Sequence, residues 1–266
     1  MLTINHIINP VKVTERSDLF VAQPITFESM RVAKEQRSDS VGVSLCTTQY
    51  AEDRSIIPQE FIKTKDLKRS MQNIRGRQFE RKLPFIKDIL KRAYKQSKKG
   101  DYIVYSNVDI ALQPHFYEWV AGQIKAGKDA FVINRRTISA RYTSADQLPE
   151  MYLEEGEKHP GYDCFVFKRE LYKKMVLGDI CVGAVYIGLV LFLNMKLFAN
   201  NFHEFGEEYL TFHVGNDQVW RNPENDPYAS HNKQEFEKIK KKLGRSHKNI
   251  AQVIDSAFPD LKQANQ

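Results

Sequence analysis

The feature that most constrains this chain is the alternation of helix-length amphipathic segments with short apolar runs through its first half. Residues 83–98 place Leu83, Ile86, Ile89, Leu90 and Ala93 on one helical stripe, and Gly100 is suited to closing that helix. Four residues, "YIVY" at 102–105, then read as a strand. The same pattern occurs around it. Residues 2–8 form a candidate first strand ended by Asn9-Pro10, and 27–35 a helix with Thr26 as its N-cap. Residues 41–45 form a strand, a helix runs from Pro114 through Ile124 and stops before Gly127, and 130–133 form a strand followed directly by Arg135 and Arg136. Each helix has an apolar stripe and each strand is short and apolar, so the two must bury each other. The expected fold is α/β: a single open, mostly parallel sheet flanked by helices.

The second half is less regular. "SADQLPEMYLEEGE" reads as a helix capped by Ser144, "CFVF" (164–167) as a strand, "KRELYKKM" as a helix and residues 209–213 as a strand. From Asn222 the chain turns polar and then basic, with two short helices. The expected organisation is one sheet domain over 1–222 and a basic helical appendage over 223–266 packed on its surface.

Composition narrows the class. With 42% hydrophobic and 27% charged residues the chain belongs with globular proteins. The first ten residues lack a basic stretch followed by an apolar one, which argues against a secretory signal. Cys46, Cys164 and Cys181 are odd in number and lie in apolar contexts, as buried reduced thiols of a cytoplasmic protein would. The uncharged run 180–194 is short of the roughly 18–20 residues needed to span a bilayer. It reads as a short strand and a buried helix, with peripheral contact to an anionic membrane left open. Charge is concentrated in residues 63–99, where fourteen Lys and Arg face three acids, a net +11 in a chain of +7. Such a stretch is a candidate anion-binding surface or a solvated helix face.

In open parallel sheets, ligands bind outside the C-terminal ends of the strands. Asn9, Asn107, Asp109, Arg135 and Arg136 all fall at those positions in the expected sheet. No P-loop, GxGxxG, HExxH or GxSxG occurs. What remains is Asp109 after one strand and His213 after another, with basic residues between. One carboxylate, one imidazole and substrate phosphates make an open site for Mg²⁺ or Mn²⁺, ions that keep several positions for water and phosphate oxygens. Asp163, in "HPGYDCFVF", stands before a strand on a glycine-containing loop. Asp217, in "HVGNDQVW", reads as a helix cap.

The segment "DYIVYSNVDIALQPHFYEWV" resembles the strand and DxD motif of GT-A-fold glycosyltransferases, the nucleotide-diphospho-sugar transferase superfamily. The resemblance extends over roughly 1–222, through the "DAFVINRR" strand and the late "FHVGND". It implies a nucleotide-sugar donor, a glycan, lipid-linked or small-molecule acceptor, and a divalent metal held by Asp109 and His213 with help from Asn107. Asn9, Asn107, Arg135 and Arg136 are then the expected substrate contacts, and Asp163 is the base candidate if the reaction inverts. The motif departs from the pattern: it is Asn-Val-Asp, and Asn107 offers only a neutral carbonyl.

A rival expectation is a non-catalytic protein that holds an anion or nucleic acid on residues 63–99. That stretch has only Phe79, Phe85 and Tyr94 as aromatics, and no recognised nucleic-acid module.

Overall fold

The structure, a computed structural model, describes residues 1–76, 78–215 and 226–257. Among the described residues nine strands form one sheet: β1 (Leu2–Ile8), β2 (Val41–Thr47), β3 (Ile62–Lys63), β4 (Tyr102–Ser106), β5 (Ala111–Leu112), β6 (Ala130–Ile138), β7 (Glu157–Lys168), β8 (Phe202–Phe205) and β9 (Thr211–Val214). The order across the sheet is β3-β2-β1-β4-β7-β6-β9-β5, with β8 also on β6. From β3 to β4 every pairing is parallel. β7 enters antiparallel to both β4 and β6. β8 and β9 then share one edge of β6, β8 along its first residues and β9 along its last. The expected α/β architecture is therefore present, parallel in one half and mixed in the other.

Strand periodicity sorts the core into two layers, because successive side chains leave a strand on opposite faces. Ile103 and Tyr105 of β4, Val132 of β6, and Phe165 and Phe167 of β7 face one cluster. Tyr102, Val104, Phe131, Ile133, Cys164 and Val166 face the other. The first cluster is covered by α2 (Ile86–Gln96) and α5 (Ile187–Phe198). It is also covered by α6 (Asp226–Gly244), which presses Phe236, Ile239 and Leu243 into it, and by α7 (Ile250–Ala257). The second is covered by α1 (Leu19–Glu35) and α3 (Phe116–Lys125). A small helix α4 (Leu148–Met151) joins α1 and the β5–β9 edge in a third cluster.

Several local expectations change. The α1 helix starts at Leu19 rather than Phe27, with Asp18 as N-cap and Thr26 buried in its interior. Pro24 lies inside it, where proline removes one hydrogen bond. The packing of Ile25, Phe27 and Met30 carries the helix across that gap. Helix α2 begins only at Ile86, since Pro84 disfavours helical geometry in Leu83. The expected helix over "KRELYKKM" is a 3₁₀ turn, Arg169–Lys173. The helix capped by Ser144 is one 3₁₀ turn plus α4, although the Ser144 hydroxyl does accept from the Asp146 amide. No strand forms at the start of the apolar run; Cys181 makes one isolated bridge to Phe85. The helix in that run, α5, is apolar on nearly all sides and buries Leu189–Met195, with Lys196 exposed near its C-terminal end. Its one buried amide, Asn194, is satisfied by accepting from the Val176 amide and donating to the Val176 and Val190 carbonyls. Among the described residues no helix is long and apolar enough to cross a membrane.

All three cysteines are free and buried. Burial pushes the thiols of Cys46 and Cys181 up to about 12.

Candidate active site

Asn107 and Asp109 leave the C-terminal end of β4, next to the junction of the parallel and mixed halves. The β4–β7 ladder ends at the pair Ser106 and Cys164, and the Asn107 amide then donates to the Asp163 carbonyl at 3.3 Å. Asp163 is thus inside β7, not on a loop before it as its sequence context suggests. On its other side the β6–β7 register slips. Ile133 pairs with Cys164 and Asn134 with Tyr162, so Asp163 has no partner on β6. A second slip between Asn134 and Arg136 leaves Arg135 unpaired opposite the stretch that holds His159. Such bulges bend a strand and re-aim side chains. Here they turn Arg135 toward Asp163, with Nε 3.4 Å from Oδ2. Gly156 lets β7 begin this close to β6: its φ is +66°, and a Cβ there would lie 2.5 Å from the Thr137 carbonyl oxygen.

The strand β6 runs to Ile138, so Arg135 and Arg136 lie within it rather than beyond it. Strand alternation then separates them. Arg136 turns to Glu155, with Nη2 3.0 Å from Oε1 and Nε donating to the Glu155 carbonyl, and lies over the Tyr209 ring. It does not join the cluster. Asn9 stands past the end of β1, two residues beyond Ile7, the partner of Tyr105 in β4, so it leaves the sheet beside Asn107. Its amide donates to the Thr48 carbonyl at 2.6 Å.

His213 reaches Asp109 from β9, with Nε2 3.5 Å from Oδ2. The other ring nitrogen, Nδ1, is 2.8 Å from the Gly215 carbonyl and can only donate to it. With that proton committed, Nε2 of a neutral ring would turn a lone pair at a carboxylate. A proton or a cation between them removes the conflict. Burial alone would lower His213, but the hydrogen bond and charge of Asp109 outweigh it and hold the imidazole above its ordinary range. Burial alone would raise Asp109, and His213 with Arg135 outweighs that and holds its carboxyl below the usual range.

The pair also meets the demands of a metal ion. Two ligands of one small divalent ion, each about 2.1 Å from it, lie roughly 3.0–3.4 Å apart. Asp109 and His213 are close to that separation, and the buried Oδ1 of Asp109 has no partner. A carbonyl bond on the second ring nitrogen is the usual support for a metal-ligating histidine. No group of three His, Cys, Asp or Glu able to hold a metal occurs among the described residues. A metal ion held here would have Asp109 and His213 as its ligands from the described residues. Asn107 is committed elsewhere: its Oδ1 accepts from the Tyr105 hydroxyl at 3.1 Å and its Nδ2 donates to Asp163 Oδ1 at 3.0 Å.

The clearest residue missed in the sequence is His159. Burial, then the charges of Arg135 and His213, lower its imidazole, against the pull of Asp163. Its carbonyl accepts from the Asn134 side chain. The signal was present in "HPGYD", four residues before Asp163, but only the slipped register brings His159 to the site. Asp217 lies outside the described residues.

One larger cavity, about 870 Å³, lies elsewhere, between α1, the 56–60 segment and α4. Its lining is largely apolar and holds none of the clustered residues.

No protein-family model matches this chain, and no curated protein matches it. Among solved structures it is similar to residues 1–349 of S. aureus TarS in complex with UDP-GlcNAc, at 12% identity and a TM-score of 0.49, over 82% of this chain and 59% of that one. The same TarS fragment with UDP matches at 11% and 0.48, over 99% and 83%. A Drosophila β1,4-galactosyltransferase 7 mutant with manganese, UDP-Gal and xylobiose matches at 10% and 0.46, over 84% and 74%. This chain thus spans 59% of the length of the first of these, less than two thirds. At such identities and scores the likeness leaves activity and substrate to be argued from this chain's own residues.

Proposed function

We propose that this chain is a GT-A-type glycosyltransferase, moving a sugar from a nucleotide diphosphate donor to an acceptor hydroxyl of glycan, lipid-linked or small-molecule type. The observation that carries the reading is a set of buried polar atoms that no hydrogen bond satisfies: Asp109 Oδ1, and Arg135 Nε with Asp163 Oδ2, which meet each other only as a long ion pair at 3.4 Å. Native interiors pair nearly all such atoms, so their convergence at one sheet edge marks a place for a polar ligand. Asp109 and His213 supply two ligands for Mn²⁺ or Mg²⁺. When bound, that ion neutralises the diphosphate leaving group as its bond to the sugar breaks. Arg135 adds a fixed positive charge to the same edge. Asn9 borders the donor side of the site. Asp163 offers Oδ2, which accepts no hydrogen bond and has only the Arg135 ion pair beside it, as the atom to which an acceptor O–H can pass its proton as its oxygen attacks the sugar carbon. A base on the acceptor side implies inversion at that carbon.

A thermal-shift series with nucleotide diphosphate sugars, with and without Mn²⁺, tests the reading. A ligand at 100 times its Kd stabilises the folded state by about 2.7 kcal/mol, so a matched donor raises Tm by several degrees. The rise should require the metal and vanish in Asp109→Asn. If no sugar nucleotide shifts Tm, or if Asp109→Asn responds like wild type, the assignment fails.

A further inference from the structure

The departure of this chain from the metal-binding motif has a structural counterpart in β7. Asn107 meets Asp163 twice, through its backbone amide to the Asp163 carbonyl and through Nδ2 to Oδ1. The orientation of its amide is not free. The Tyr105 hydroxyl donates to Oδ1, so the NH₂ end must face Asp163. Tyr105 stays a donor at any working pH, because burial, and then the charges of Asp109 and Asp163, push its phenol far up. Tyr105 itself is buried against Phe165 of β7. A rigid relay thus runs from the core, through one amide, to one carboxylate oxygen.

We propose that Asn107 is a positioning residue for Asp163 rather than a metal ligand, and that asparagine is required there because it is a neutral donor. Its bond to Oδ1, with the Arg135 guanidinium beside Oδ2, fixes the plane of the Asp163 carboxylate and leaves Oδ2 toward the substrate. An aspartate at 107 would set two carboxylates about 3 Å apart, where both cannot ionise together, and the one proton they share would occupy the pair in place of the neutral amide donor and change the basicity of Asp163. In this chain, restoring the acidic motif residue would therefore damage the site. The proposal rests on the reading of Asp163 as the base.

The test is a double-mutant cycle on the full chain with Mn²⁺ and the donor found by thermal shift, following kcat, donor affinity and the Mn²⁺ concentration at half-activation. Asn107→Leu keeps the size and removes the donor; Asn107→Asp keeps the size and adds charge. Each should lower kcat about 100-fold, as expected for a misplaced reacting group. Donor affinity and the Mn²⁺ half-point should stay within about twofold of wild type, since no ligand is lost. In an Asp163→Asn background, Asn107→Leu should cost almost nothing more, because its action runs through Asp163. If one substitution prevents folding, the other carries the cycle. An Asn107→Asp enzyme that keeps its turnover or needs less Mn²⁺ would make residue 107 a ligand and overturn the proposal. Full additivity of the two losses would overturn it too, while leaving Asp163 as base. Near-normal turnover in Asp163→Asn alone would instead remove the base reading, and the proposal with it.

Discussion

The two halves of the sheet deliver their residues to the site in different ways. In the parallel half, Asn9, Asn107 and Asp109 stand just past strand ends, where the topology alone carries them to one edge. In the mixed half, Arg135 and Asp163 project from inside β6 and β7, and two register slips aim them. The first route needs only correct strand lengths. The second needs two strands that meet out of step. Under the proposed function the halves divide the work: Asp109 and Asn9 of the parallel half, with His213, would serve the donor and its metal, and Asp163 of the mixed half, held by Asn107, would serve the acceptor.

The largest effect that could break this division is on Asp163. Asp163→Asn should lower turnover by roughly a hundred- to ten-thousand-fold, the range for loss of a general base. Donor affinity, measured by calorimetry with Mn²⁺, should change little. A variant that binds donor poorly would place Asp163 on the donor side and dissolve the distinction.

A middle-sized effect concerns the parallel half as a scaffold. His6 of β1 is fully buried, with its two nitrogens against the Tyr117 and Ser106 hydroxyls at 2.9 and 2.8 Å. Burial lowers its imidazole to about 3. The unfolded chain protonates this group near pH 6.5 and the folded chain does not, so its stabilising effect is complete above 6.5 and declines as pH falls toward 3. The slope is about 1.4 kcal/mol per pH unit, or about 2 kcal/mol between pH 6.5 and 5. Urea unfolding at several pH values should show that slope in wild type and a shallower one in His6→Asn. Equal slopes would mean that this histidine is not held neutral.

The smallest effect concerns the basic segment. Part of it is held locally: Arg69 pairs with Asp88 and Asp179, Lys87 with Asp179, and Arg92 donates to the Lys65 and Asp66 carbonyls. Lys82 pairs with Glu52 and lies 4.1 Å over the Tyr50 ring, just past the C-terminal end of β2. Exposed pairs contribute about 0–1 kcal/mol, so Lys82→Glu should raise the apparent KM for donor no more than about fivefold at low salt. The effect should disappear near 1 M salt, where the Debye length is about 3 Å. No change at low salt would leave the segment as solvated surface.

Sequence alone marked several of the elements that depend on neighbours along the chain, though not the start of α1 or the 3₁₀ turn at Arg169–Lys173. Helical stripes, apolar runs and the positive-φ glycines at Gly100 and Gly127 marked α2, α3, β1 and β4 to within a few residues. They also put Asp109 past the end of β4, because the position of a strand end is a local property. Tertiary structure decided whatever depends on two distant segments meeting. The Pro24 turn inside α1 survives on packing that no local window contains. The slips between β6 and β7 exist only as a mismatch between two strands, so neither the aim of Arg135 at Asp163 nor the arrival of His159 could be read from either strand alone. The amide of Asn107 shows the same limit. Its residue type was visible, but the direction it faces was set by a hydroxyl two residues before it and a carboxylate fifty-six residues away. Side-chain direction follows from hydrogen-bond partners, and those become neighbours only once the sheet has formed.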